Sequence, residues 1–326
     1  MNKLYPLRFT PLFLEKIWGG QKMKSSLGMN FAPLPDCGEA WVLSGVPGSQ
    51  TKVSNGFLKG NELNELLEIF MDDLMGERVF AKHKEQFPIL VKFIDANDWL
   101  SVQVHPDDAL AAKRGLAGGK TEMWYVLEAE PGSELITGFR GTVSRESYLR
   151  HLNSKTLGNI LNNEQVKQGD VFYIPAGQVH ALGPGILLAE IQQTSDTTYR
   201  IYDWDRVDSQ GKERELHTAP ALDAIDFTVP ASYRSEYDKS LNHTVSLVRS
   251  PYFCTNLLEF NLPVAKDYSA TDSFIILLCT EGKADVIYDS GKESISRGEV
   301  LLIPAILEKI LLIPMPGCKI LEVYSV

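Results

Sequence analysis

Apolar and polar residues alternate over short stretches through most of this chain, and stripes at helical spacing are few. "FPILVKFIDA" (87–96), "LSVQVH" (100–105), "EMWYVLEA" (122–129), "DVFYIPAG" (170–177) and "ILLAEIQQ" (186–193) are strand-length runs, with turn-forming residues between them. Residues 1–58 read the same way, as short strands and loops around "EAWVLSGV" (39–46). The period changes in "NELNELLEIFMDDLMG" (61–76). There Leu63, Leu66, Leu67, Phe70 and Leu74 fall on one helical face with carboxylates between them. "SRESYLRHLNSKTLGNILNN" (144–163) predicts a second helix. Ser147, not a glutamate, stands three residues after Ser144, so a plain serine cap is expected in place of a capping box. "TSDTTYRIYDWDR" (194–206) reads as a polar loop, and 205–242 as a polar linker containing proline.

A second β-rich unit begins near 243, with "TVSLVRSPYFCTNLLEF", "SFIILLCTEG", "KADVIYDS", "ESISRGEVLLIPA" and "KILEVYSV". Many short strands separated by Gly and Pro turns favour a sandwich or barrel over a βαβ sheet. An internal echo sharpens this. "GDVFYIPAGQVHAL" (169–182) and "GEVLLIPAILEKIL" (298–311) begin with the same turn, but Ile306 replaces Gly177 and Lys309 replaces His180. The interval from Gly132 to Gly169 exceeds that from Gly282 to Gly298 by about the length of the predicted 144–163 helix. The chain therefore reads as mainly β, one unit used twice. The first copy, 1–242, carries helical insertions at about 59–86 and 142–164; the second is 243–326.

Composition narrows the chemistry. The net charge of -10 argues against sequence-independent nucleic-acid binding, which needs a basic face. An anionic small ligand remains compatible with it, because a local cation cluster can sit in an acidic protein. Cys37, Cys254, Cys279 and Cys318 are scattered without a C-x-x-C pair, as expected of reduced thiols in a cytoplasmic protein. The N-terminal stretch is broken by Arg8, Glu15 and Lys16, so no signal peptide is expected, and the longest apolar runs are too short to span a bilayer.

Of six histidines, His83, His151, His217 and His243 lie in polar surroundings and read as solvated. His105 and His180 differ. Alternation in "SVQVHPDD" puts Ser101, Gln103 and His105 on one face and Val102 and Val104 on the other. A polar triple on an otherwise apolar strand must be paired or must bind something. "GGKTEMWYVLEA" adds Lys120 and Glu122, and the loop after "YIPAG" adds His180. One amide oxygen, two imidazoles and one carboxylate suit a divalent ion, with Zn²⁺, Fe²⁺, Mn²⁺ and Co²⁺ all compatible.

Gly169-x5-Pro175-x-Gly177-x2-His180 matches the second signature motif of the cupins, β jelly-roll proteins that hold a metal inside the barrel. "WLSVQVHPDD", "GKTEMWYVL", "IPAGQVHAL" and "SDTTYRIYDWDR", in that order and spacing, resemble the type I phosphomannose isomerases in their short bacterial form. The resemblance runs from "EKIWGG" (15–20) through "GEAWVLSG" (38–45) to a degenerate C-terminal cupin. It implies two cupin-like jelly rolls, the second metal-free, and one Zn²⁺ per chain on Gln103, His105, Glu122 and His180. It also implies a small phosphosugar substrate, no nucleic-acid or membrane partner, and a monomer or weak homodimer. Arg200 falls on the family's catalytic arginine, Lys120 on its active-site lysine and Asp196 on its substrate-binding aspartate. Longer members often carry a histidine where Gly119 stands, so any role of that side chain is absent here or supplied elsewhere.

The implied reaction moves a proton between C2 and C1 of the sugar through a cis-enediol. It needs a proton-transferring group and an electrophile for the developing oxyanion. Arg200, always charged, suits the oxyanion. Lys120 lies two residues from a ligand and is a candidate for the proton transfer. Glu190 is a candidate for proton shuttle or for support of the site, and Ser101 and Trp18 are candidate substrate contacts, with Trp41 a further stacking surface. A metal cupin oxygenase and a non-catalytic sugar-phosphate-binding cupin are the competing readings. Gln103 in place of a histidine, with Lys120 and Arg200 both present, disfavours them.

Overall fold

The computed structural model describes residues 3–207 and 211–326; of the expected linker, 208–210 lie outside the described residues. The N-terminal unit is two antiparallel sheets face to face. One has five strands in the order Leu161–Gln165, Glu134–Phe139, His180–Leu182, Val102–Val104 and Tyr199–Tyr202. The other has six, in the order Val171–Ile174, Glu122–Ala129, Ile186–Gln193, Ile89–Ala96, Glu39–Leu43 and Leu12–Leu14.

The six-stranded sheet is covered on both faces, which is why its central strands are apolar nearly throughout. Its outer face (Val91, Phe93, Met123, Tyr125, Ala189 and Ile191) packs into a core shared with the helix Leu63–Met75 and with Phe253, Phe274 and Leu321 of the C-terminal unit. Its inner face is graded. Ile94, Ala96, Val126, Ile186 and Leu188 form an apolar floor, while Lys92 and Glu190, farther along the same face, are buried and charged. That gradient positions the site. Val102 and Val104 point the other way, into a cluster with Tyr148 and Ile225.

The helix expected over 61–76 spans Leu63–Met75, kinked at Met71 (φ 44°), and starts with a capping box between Glu62 and Glu65. The second predicted helix is shorter than 144–163. It spans Arg145–Asn153, with the Ser144 side chain accepting from Ser147 N, and gives way to a single 3-10 turn and then the strand Leu161–Gln165. The Asn-Ser-Lys-Thr run after Leu152 offers no apolar residue to continue the buried stripe. The polar 205–242 stretch also contains a helix, Thr218–Ala224.

The C-terminal unit is a seven-stranded sheet curled on itself. Its interior is filled by Leu258, Phe260, Ile275, Leu277, Ile303 and Ile320, among others. The two copies of the repeated turn share a left-handed first glycine, with φ 87° at Gly169 and 83° at Gly298. Their ends diverge. His180 is wholly buried between the sheets of the first unit, whereas Lys309 is exposed and faces Asp267 at 3.7 Å. The N-terminal segment ties the units together, Leu7 and Leu302 exchanging backbone hydrogen bonds at 2.8 and 2.9 Å.

Candidate metal centre

Gln103 is the middle residue of the strand Val102–Val104, directly opposite His180 on one neighbouring strand and Arg200 on the other. Glu122 opens the facing strand, opposite Gln192 and Ile174. The two sheets thereby bring His105, Glu122 and His180 together, with one ligating atom from each within 4.8 Å of the others.

Backbone carbonyls set the imidazoles. His105 Nδ1 lies 3.0 Å from Thr197 O and His180 Nδ1 lies 2.8 Å from Gln178 O. A carbonyl only accepts, so each Nδ1 carries the proton and each Nε2 presents a bare lone pair inward. His105 Nε2 is 3.5 Å from Glu122 Oε2 and His180 Nε2 is 3.4 Å from Oε1. Burial holds both imidazoles neutral, His180 at about 4 and His105 well below its ordinary value, with Lys120 adding to the effect in each. The same burial, reinforced by Glu190, pushes the Glu122 carboxyl up to about 8, although Lys120 and Lys92 pull it down. Both Glu122 oxygens and His105 Nε2 are buried without a hydrogen-bond partner. Four acceptor atoms converge here, three of them buried without a hydrogen-bond partner, and together with a carboxyl pushed upward by burial they are the electrostatic signature of a cation site; the N/O donor set fits a divalent metal. The Gln103 amide reaches the same place with its nitrogen 3.3 Å from His180 Nε2, and a turn of the amide about its last bond would present the oxygen there instead.

A cavity of about 370 Å³ opens beside this cluster, and Trp18, Ser101, Gln103, Lys120, Glu190, Asp196 and Arg200 all line it. Every candidate from the sequence outside the His-Glu-His cluster therefore reaches one space. Lys120 Nζ is buried 3.5 Å from Glu122 Oε2. Asp196 is exposed at the rim, while Ser101 and Trp18 are buried.

Arg200 is not on a loop: it lies in the strand Tyr199–Tyr202, where Tyr199 and Ile201 are buried outward and Arg200 faces the cavity. Three β-formers in four residues, Tyr-Arg-Ile-Tyr, were the available signal. Its Nη1 donates to Glu215 O at 2.8 Å and its buried Nε has no partner. Among the described residues the guanidinium makes no ion pair. His217 is not merely solvated, since its Nδ1 accepts the Arg200 backbone N–H at 3.1 Å. His83 is half-buried, and burial lowers it to about 4.

Lys92, Glu39 and Arg214 also line the cavity and were passed over in the sequence. Lys92 Nζ lies 3.2 Å from Glu190 Oε1, 3.7 Å from Glu39 Oε2 and 5.0 Å from the centre of the Trp41 ring. Trp124 Nε1 donates to Glu190 Oε2 at 2.9 Å. Glu190 is thus a buried, fully partnered carboxylate; burial raises its pKa, Lys92 lowers it, and the net shift is downward. A lone lysine inside "ILVKFI" was the signal for Lys92, the same that singled out Glu190 in "LLAEIQQ".

Residues 7–142 match the family described as "Phosphomannose isomerase type I, catalytic domain". A mannose-6-phosphate isomerase of Streptococcus mutans is 36% identical over 90% of this chain and 92% of its own length. The crystal structure of the mannose 6-phosphate isomerase from Bacillus subtilis superposes with a TM-score of 0.87 at 31% identity, over 98% of this chain and 99% of that one. A crystal structure of mannose 6-phosphate isomerase bound with zinc and yttrium shares the fold, with a TM-score of 0.78 at 17% identity over 98% and 99% of the two chains.

Proposed function

The chain belongs to the type I phosphomannose isomerase family, and on that premise we propose that it interconverts mannose 6-phosphate and fructose 6-phosphate between its two N-terminal sheets. The observation that carries this reading is the orphaned acceptor set of Glu122 and His105, beside a cavity lined with cations. His105, Glu122 and His180 would hold one Zn²⁺ per chain, with Gln103 as the fourth ligand through its amide oxygen. Bound there, the ion would act as a Lewis acid toward the sugar oxygens or orient them. The zinc-bound relative supports zinc as the metal.

The chain's own residues divide the remaining work. Arg200 presents an uncompensated charge to the cavity, suited to an enediolate oxygen whose charge grows in the transition state. Lys120 is the group we assign to the substrate proton, since its Nζ is buried beside the metal ligands and lines the cavity. Of its two candidate roles Glu190 takes the supporting one: held ionised by Lys92 and Trp124, it fixes Lys92 and does not shuttle protons. Ser101, Asp196 and Trp18 contact the sugar, Trp18 with an apolar face. The C-terminal unit, 243–326, is a metal-free second cupin that covers the outer face of the catalytic sheet. No helix among the described residues is long and apolar enough to cross a membrane. We place the enzyme in the cytoplasm as a monomer or weak homodimer, and its four free thiols fit a reducing compartment.

The test is a coupled assay that follows fructose 6-phosphate formed from mannose 6-phosphate. Turnover is expected with this substrate. Turnover confined to a non-phosphorylated sugar, or none at all, would overturn the reading.

A further inference from the structure

The turn Gly118–Thr121 delivers two site residues, Lys120 within it and Glu122 directly after it. Each of its four residues has a backbone anchor. Gly118 O accepts from the Ser195 hydroxyl at 3.1 Å. The Gly119 N–H donates to Asp108 Oδ1 at 2.8 Å and the Lys120 N–H to Pro106 O at 3.0 Å. The Thr121 N–H donates to Gln193 Oε1 at 2.8 Å, while Gln193 Nε2 donates to the same Asp108 oxygen at 3.0 Å. One carboxylate oxygen therefore holds the turn twice, directly at Gly119 and through Gln193 at Thr121.

Asp108 is free for this task because its neighbour caps the helix. Asp107 accepts from Leu110 N at 2.7 Å, and Asp108 is the first residue of the helix Asp108–Lys113. The adjacent aspartates of "HPDD" thus split two jobs, one local and one directed at the site. The seat is tight: a Cβ at Gly119 would lie 2.6 Å from Asp108 N and 2.8 Å from Oδ1. No side chain fits at 119, and the turn rests on the helix start by backbone alone. Behind it a cavity of about 170 Å³ is lined by Asp108, Gly118, Gly119, Gln193 and Tyr252, the last supplied by the C-terminal unit.

We infer that Asp108 is a positioning residue for the isomerisation, its Oδ1 setting the Gly118–Thr121 turn and with it the reach of Lys120 toward the substrate. The inference rests on the reading that places Lys120 in the active site. Without the carboxylate, two adjacent glycines regain conformational freedom beside the lysine. Asp108 itself is exposed, so its loss costs the fold little. The effect falls on catalysis, where a misplacement of about 1 Å costs up to about 100-fold.

The experiment measures steady-state kinetics of the metal-loaded enzyme on mannose 6-phosphate for wild type, Asp108→Ala, Asp108→Asn, Lys120→Ala and the Asp108→Ala/Lys120→Ala double variant. Asp108→Ala should lower kcat by about 10- to 100-fold, with metal content and melting temperature unchanged and KM within about 2-fold of wild type. Asn keeps an oxygen that accepts both bonds, so Asp108→Asn should recover to within about 3-fold of wild type. In the Lys120→Ala background Asp108→Ala should cost nothing further, because its effect passes through that lysine. An unchanged kcat in Asp108→Ala, no recovery in Asp108→Asn, or multiplying defects in the double variant would each overturn the inference while leaving the isomerase reading intact. A wild type without turnover would instead overturn that reading, and the inference with it.

Discussion

Lys92 and Glu190 form a deeply buried ion pair in the catalytic sheet, each 4% exposed, and replacing Lys92 by methionine tests what that pair does. Methionine matches the length and apolar stem of lysine, so the change removes charge more than volume. It leaves Glu190 with the Trp124 N–H at 2.9 Å and no counter-charge in contact. Breaking a buried pair from one side costs about 3–5 kcal/mol. For 326 residues, at about 2.1 cal/mol/K per residue, the unfolding entropy is about 0.7 kcal/mol/K, so the melting temperature should fall by about 4–7 °C. The pH dependence gives a second signature. In the wild type burial raises the Glu190 pKa and Lys92 more than offsets it, so the folded value is depressed. That contribution is lost only as pH falls through the depressed value. Without Lys92 the largest downward pull is gone, only Lys120 and the Trp124 N–H still oppose burial and Glu39, and the folded value moves up, so the variant loses stability relative to the wild type as pH rises. The deficit should therefore shrink between about pH 8 and about pH 5. Lys92→Met/Glu190→Gln buries no charge and keeps the Trp124 bond, and it should melt within about 2 °C of wild type. Thermal unfolding followed by circular dichroism across that pH range decides the matter. A Lys92→Met protein as stable as wild type at pH 8, or a deficit that grows as pH falls, would refute the reasoning.

His180→Ala should lose both bound metal and turnover, because His105, the other histidine of the cluster, already fills its own ligand position and no third is there among the described residues to replace His180; stoichiometric metal retained in that variant, read by elemental analysis, would remove His180 from the ligand set. Arg200→Ala should lower kcat by about 10²–10³-fold with metal content intact, and Arg200→Lys should recover only part of it, since an ammonium lacks the planar fork. A defect confined to KM would make Arg200 a phosphate clamp instead. Lys309→Ala should change neither metal content nor kcat, because that side chain is solvent-facing over an apolar barrel; a loss of metal would show that the second unit holds part of the site.

The alternation in "SVQVH" was enough to place Gln103 and His105 inward and the valines outward, because period 2 fixes faces as soon as one side is buried. The repeated Gly-x5-Pro turn likewise exposed the duplication, since only a left-handed glycine can open it in both copies. Lys92 escaped notice because a lysine in a buried strand earns its place from partners on neighbouring strands, Glu190 and Trp41, that lie far away in sequence. The strand holding Arg200 read as loop because the threonines and aspartates that flank its four residues are polar, while its register is imposed by Val102–Val104. The shortened second helix reflects the same competition, as the sheet recruits Leu161–Gln165 from what local pattern alone would leave helical. The anchoring of the Lys120 turn was invisible for a related reason: Asp108, Gly119 and Gln193 meet only once three separate elements are folded.

The central claim, that His105, Glu122 and His180 form a metal centre on which isomerisation depends, is tested most directly by metal titration of the chelator-stripped protein. Zinc is added in steps while mannose 6-phosphate turnover is read by the coupled assay. Turnover should be absent at the start, rise linearly, and saturate at about one ion per chain, as expected for a single tight site. Full turnover by the stripped protein before any metal is added would contradict the claim.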